Sequence, residues 1–167
     1  MGKTDLDWLT RIVAERAAGL VLYARQWLDA ATAEDVVQEA LVALLAARHP
    51  PVNPTAWMYR AVRNAAIDAV RSRSRRQQRE QAVAATRQDW FDPQAEALLD
   101  AEVAQIALQK LAASQREIVV LRIWGGLGFA EIAEVLQVAV STVHDRYGKA
   151  LGELRRELEK SCKTKLD

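Results

Sequence analysis

Three groups of side chains have the spacing and type to do chemistry, and in each case the chemistry is binding. Asp35, Gln38 and Glu39 fall with Val42 within one sector of a helix, at the i, i+4 and i+7 intervals that let side chains meet a partner. An apolar valine inside a polar stripe is the informative detail, although periodicity alone favours an ordinary solvated face with one stray Val. Arg60, Arg63, Asn64, Ile67 and Arg71 share a second sector, which continues into Arg73, Arg75, Arg76 and Arg79. Arginine neutralises phosphates and asparagine can read a base edge. A solvated helix end would also carry Arg to suit the dipole, but seven Arg in the twenty residues 60–79 exceed that need. Trp57 and Tyr59 are read as core and boundary residues, with base stacking left open.

The third group is Ser141, Thr142, His144, Asp145, Arg146 and Lys149, the polar positions of a helix whose Val143, Tyr147 and Leu151, or Val140 and Val143, face a core. Arg146 and Lys149 suit guanine or phosphate, Asp145 can accept from cytosine, and Thr142 can touch a thymine methyl. His144 has no second His, Cys or carboxylate pair at catalytic spacing. With His49, His144 and the single Cys162 there is no metal-ligand set, and no internal disulfide can form. A Gly-rich phosphate loop and a nucleophile elbow are both missing, so neither a cofactor nor an enzymatic activity is expected.

These groups need helices to hold them. The chain has 167 residues, 50% hydrophobic and 27% charged, enough for one domain or two small ones. Seven Gly and four Pro are too few for a loop-rich β protein, and the Ala, Leu, Arg, Glu and Gln content suits an all-α fold. No apolar run approaches the ~20 residues of a membrane span, and Met1 to Leu9 carries acids, so no membrane insertion and a cytoplasmic location are expected. The net charge of +1 conceals segregation: −2 over residues 1–50, +6 over 60–79, −5 over 80–102 and +2 over 103–167. A basic block beside an acidic connector fits a polyanion-binding surface.

Periodicity divides the chain into two helical groups around a polar stretch, Arg71 to Pro93, read as a linker. The first group begins with a helix near Leu6 to Leu28, broken at Gly19, followed by a helix Ala33 to Ala47 capped by Thr32 and stopped by Pro50 and Pro51. Val37, Ala40, Leu41, Leu44 and Leu45 are its predicted core side. Asn53 then caps a helix with Pro54 at its first position. The second group starts at Asp92-Pro93 with a helix to about Leu111. A capping box at Ser114 opens Gln115 to Trp124, ended by Gly125-Gly126. Helices Phe129 to Leu136 and about Val140 to Lys160, joined by Gln137-Val138-Ala139, form a helix-turn-helix pattern.

In order and spacing, Thr32 to Leu45 (TAEDVVQEALVALL), Ala56 to Arg76 (AWMYRAVRNAAIDAVRSRSRR) and Ser114 to Val143 (SQREIVVLRIWGGLGFAEIAEVLQVAVSTV) closely resemble bacterial sigma factors of the extracytoplasmic-function group. The resemblance implies two small helical domains on a flexible linker: a region-two domain over 1–76, a linker over 77–93 and a region-four domain over 94–167. It also implies a protein that binds the RNA polymerase core, directs it to promoter DNA and helps open it, without being an enzyme. On that likeness Asp35, Gln38 and Glu39 fall on the core-binding motif that docks on a coiled coil of the large catalytic subunits, which explains Val42. Arg60, Arg63, Asn64, Ile67 and Arg71 match the minus-10 segment, and the helix-turn-helix matches the minus-35 reader. An anti-sigma factor is a further expected partner.

Departures from the family pattern are Gly128, Gln137 and Ala139, where members usually have a Ser or Thr cap, a turn Gly and a Ser cap. Asp145 stands where a small polar residue is typical, and the loop Arg48 to Asn53 has Pro50-Pro51 and lacks the usual aromatic beside the flipped-out base. Two other readings exist. A helix-turn-helix regulator working without polymerase explains Ser114 to Lys160 but leaves the Asp35 stripe idle. A sigma-mimicking interaction protein that holds an inhibitor leaves the arginine block unexplained.

Overall fold

The computed structural model describes residues 16–47, 51–80 and 98–164, with the backbone alone at 77–80, 98–103 and 161–164. Among these residues every regular element is a helix. They are α1 (16–24), α2 (Ala30–Ala46), α3 (Pro54–Glu80), α4 (Leu98–Lys110), α5 (Ala113–Ile123), α6 (Phe129–Leu136) and α7 (Val140–Thr164). They group into two compact units, α1 to α3 and α4 to α7. The expected first-helix start near Leu6, Pro50, and the Asp92-Pro93 start of the second group lie outside the described residues.

In the first unit α1 runs through Gly19 without the predicted break. A mid-helix Gly costs about 1 kcal/mol relative to Ala, less than is gained by fully burying Leu20 and Tyr23 just beyond it. Asp29, and not Thr32, caps α2: its Oδ1 accepts from the Thr32 backbone N–H at 2.9 Å and from the Thr32 hydroxyl at 2.7 Å. These bonds, the backbone one foremost, hold the Asp29 carboxyl below its usual range. The Asn53 cap is present as expected, with Oδ1 accepting from Ala56 N–H at 3.0 Å. α3 then continues through the whole arginine tract to Glu80, so the stretch from Arg71 to Glu80, read from sequence as linker, is helical. Ala33, Val36, Val37, Ala40 and Leu44 of α2 are buried, whereas Leu45, predicted as core, is exposed. Tyr59 is fully buried, its ring edge-on to Tyr23 at 5.4 Å, and burial pushes its hydroxyl up to about 12.

In the second unit α7 packs against α4, α5 and α6, and α5 has four consecutive residues, Ile118 to Leu121, fully buried, the signature of a helix covered on more than one side. It opens at Ala113 after Ala112, with Gln115 Oε1 accepting from the Ala112 N–H at 3.1 Å, so the cap lies two residues before the predicted Ser114. Gly125 is required where it stands, because a Cβ would sit 2.5 Å from the Leu121 carbonyl oxygen, and Gly126 takes φ 65°. α7 is tied to α4 by Glu157, which accepts from Lys110 at 2.5 Å and Lys160 at 2.8 Å; the two ammonium groups hold its carboxyl near 2.

The turn between α6 and α7 places Gln137 in the left-handed region, φ 56° and ψ 45°, a conformation that favours Gly. Its side-chain Nε2 donates to the Glu134 carbonyl at 2.8 Å, which offsets part of the strain. That conformation costs an L-residue roughly 1–2 kcal/mol, so Gln137→Gly is expected to stabilise the protein by about 0.5 kcal/mol after glycine's greater unfolded-state freedom is subtracted. Denaturant midpoints read this directly. A lowered midpoint would mean that the Nε2 bond outweighs the relief of strain.

Candidate functional site

On α2 the packing against α3 turns Ala33, Val36, Ala40 and Leu44 inward and leaves Asp35, Gln38, Glu39 and Val42 together in solvent, Val42 at 62% exposure. Leu45, 40% exposed, extends this stripe seven residues beyond Gln38. Sequence reasoning missed it, because Leu41 and Leu45 form an apolar arc continuous with the buried one. Asp35, Gln38, Val42 and Leu45 therefore recur at alternating steps of three and four, the pattern by which one helix seats against another. An acidic end and an apolar end on one exposed face suit a helical partner with a basic and an apolar stretch.

On α3, Arg60, Arg63 and Ile67 are half-buried and Asn64 and Arg71 are exposed. The structure brings them onto one side of the helix, opposite the buried stripe of Met58, Val62 and Ala66. Arg71 Nη1 lies 3.5 Å from Asp68 Oδ1, with both side chains largely exposed, so the pair adds about 0–1 kcal/mol and is easily exchanged for a phosphate. The half-burial of Trp57 and full burial of Tyr59 fit the boundary and core reading. In the loop before α3, Val52 is fully exposed beside Pro51; Arg48 to Pro50 lie outside the described residues.

In the helix-turn-helix, Gly128 offers no side chain to cap α6, but Glu131 Oε2 accepts from its N–H at 2.7 Å and so recovers half of a capping box. Among the described side chains of α7, Val143 and Ala150 are fully buried and Tyr147 is half-buried. Val140 and Leu151, offered from sequence as core, are each 42% exposed. The difference arises because Ala150, too small to stand out in the periodicity, takes the inward position one helical repeat after Val143. Ser141, His144, Asp145 and Lys149 are exposed, and Thr142 and Arg146 half-buried. The His144 ring lies against Phe129, with centroids 4.0 Å apart and planes tilted by 42°, and Arg122 sits over the Phe129 ring 4.9 Å from its centroid while donating to the Leu127 carbonyl at 2.8 Å. Phe129 and Arg122 were not singled out from sequence, since their link to His144 is made only by the turn. Asp145 is not an isolated acid: Lys149 Nζ bonds its Oδ2 at 3.2 Å across one helical turn.

Comparison with known proteins identifies the two units that carry these faces. The chain matches the Sigma-70 region 2 family over residues 12–76 and the Sigma-70, region 4 family over residues 103–154. It is 37% identical over 157 residues to the ECF RNA polymerase sigma factor SigL of Mycobacterium tuberculosis, covering 87% of this chain and 85% of that protein. Among solved structures it is similar to the sigma factor RpoE of Bartonella quintana, crystallised with the anti-sigma factor NepR. That match has a TM-score of 0.71 and 23% identity and covers 92% of this chain and 97% of the other. It is similar also to CnrH in complex with the cytosolic domain of CnrY, with TM-score 0.61, 26% identity, and coverage of 91% and 88%.

Proposed function

The chain belongs to the extracytoplasmic-function RNA polymerase sigma factors, and we propose on that premise how its own residues divide the work of promoter recognition. As a sigma factor it binds core polymerase and directs it to promoter DNA. The exposed face of α2, with Asp35, Gln38, Glu39 and Val42 and the added Leu45, is the core-binding surface. The Arg60, Arg63, Asn64, Ile67 and Arg71 side of α3 engages the minus-10 element, and the Ser141 to Lys149 face of α7 engages the minus-35 element. Residues 1–76 and 94–167 act as the two functional domains. The protein contributes binding energy and no catalytic step of its own, and works in the cytoplasm with the polymerase. No described helix is long and apolar enough to cross a membrane. Since the Bartonella RpoE was crystallised with the anti-sigma factor NepR, and CnrH with the cytosolic domain of CnrY, an anti-sigma partner is part of the proposal.

The observation that carries the reading is the exposed mixed stripe on α2 in the same chain as a helix-turn-helix: a regulator that needs only DNA has no use for the first. Run-off transcription with purified core polymerase tests it. A discrete transcript that requires both core and this protein is expected, and DNA binding without core-dependent transcription would overturn it.

One outcome follows from the Asp145–Lys149 pair. Asp145→Ser removes an acid from the groove face and releases Lys149 to a phosphate, so binding should tighten on every duplex and the salt slope steepen by about 0.9. Affinities against a one-position promoter library at fixed salt check this. A preference relaxed at a single base pair by roughly 1–3 kcal/mol would show instead that Asp145 accepts from a cytosine amine.

A further inference from the structure

Beyond Ala66 the inward stripe of α3 outruns the helix it packs on. Ala69, Val70, Arg73 and Arg76 project past the start of α2 and, with Trp27 and Leu28, line an open groove of about 460 Å³, within the size range of ligand sites. Its floor is apolar. Val70 stays 40% exposed, and Trp27 is held by an edge-to-face contact with Tyr23 at 5.2 Å and 89°. The rim carries donors, since Arg73, Arg76 and Ser72 face it. The one carboxylate there, Asp29, commits Oδ1 to the α2 cap and keeps its charge near Arg73, so two arginines and one acid leave the rim net basic. A phosphate takes donors of this kind, and the face of a base can lie on an apolar floor with its polar edge in water.

Every residue from Val70 to Arg76 is exposed. At 100° per residue, Arg71 and Arg75 lie on the side of Arg60 and Asn64, whereas Arg73 and Arg76 lie on the groove side, so the distal half of α3 is basic round its whole circumference. A basic groove with an aromatic wall is the arrangement that binds single strands through phosphate contacts and base stacking.

We propose that this groove holds one nucleotide of single-stranded DNA, its base against Trp27 and Val70 and its phosphate on Arg73 and Arg76. The proposal rests on the sigma-factor reading for the source of that strand, the opened promoter. It extends the DNA path from the Arg60 side of α3 over the helix tip to the opposite side.

The test uses the full-length protein and a decamer of thymidine carrying 5-bromodeoxyuridine, without polymerase. Ultraviolet crosslinking should place an adduct on the tryptic peptide 26–48, which contains Trp27, and not solely on peptide 49–60, which contains Trp57. Arg73→Gln with Arg76→Gln should weaken decamer binding about tenfold and lower the salt slope by about 1.4, two single-strand contacts at ~0.7 each. Ala69→Leu fills the floor but keeps both arginines, and should weaken binding while leaving the slope largely unchanged. A peptide of residues 87–97, acidic and aromatic, is titrated in parallel. Failure of the decamer to bind at low salt, adducts confined to peptide 49–60, or Ala69→Leu displacing the peptide but not the decamer would each overturn the proposal. Run-off transcription by the parent protein reports on the sigma reading separately, so the two can fail independently.

Discussion

Asp35→Arg combined with Glu39→Arg is expected to abolish capture of core polymerase while leaving the thermal transition of the protein in place. Both side chains are exposed on α2 and lie beyond its first turn, where the helix dipole no longer favours acids strongly. Their removal therefore costs the fold little. Against a basic partner surface the reversal replaces attraction by like-charge contact, worth several kcal/mol, or at least about a hundredfold in affinity. Pull-down of core by the tagged double mutant, with circular dichroism melts alongside, checks both halves. Unchanged capture would remove this face of α2 from the interface. Leu45→Asp adds a test of the apolar end: it should weaken capture without unfolding α2, because Leu45 is already 40% exposed.

The second large effect is expected at α3. Replacing Arg60, Asn64 and Arg71 together by Ala should impair strand opening at the minus-10 element more than binding to an upstream duplex. Each of the two arginines that reaches a phosphate contributes roughly 0.7 to 0.9 to the salt slope, depending on whether the strand is single or double. Arg71 gives up only an exposed 3.5 Å pair with Asp68 to make such a contact, and Asn64 is exposed with donors and an acceptor for a base edge. Tyr59, Val62 and Ala66, which hold α3 in the bundle, are left intact, so the variant should melt as the parent does. Permanganate reactivity of open complexes reads the outcome, and normal melting in the triple variant would sink the assignment.

What the chain determined by itself are the features that local chemistry decides. Asn53-Pro54 opens α3 because the Asn carbonyl reaches Ala56 N–H and Pro surrenders no bond at the first helical position. Gly125-Gly126 ends α5 because one site has no room for a Cβ and the next takes a positive φ. The three-residue turn 137–139 and the segregation of arginines into 60–79 were equally legible, and with them the two helical groups and the three polar faces proposed for binding.

Only the tertiary structure decided which side of each helix is covered. α2 is apolar round more than half its circumference, so its own periodicity is satisfied by either of two arcs. Packing on α3 selected the one with Ala33 and Val36 and left Leu45 with Val42 in solvent. The same choice in α7 buried Ala150 instead of Leu151. Gly19 stayed helical because burial of Leu20 and Tyr23 exceeds a local penalty of about 1 kcal/mol. The ring contact of His144 with Phe129 and the groove beside Trp27 join residues from separate helices. Propensities and caps act within a few residues, whereas burial depends on the shape of a neighbouring element, and that shape is written elsewhere in the chain.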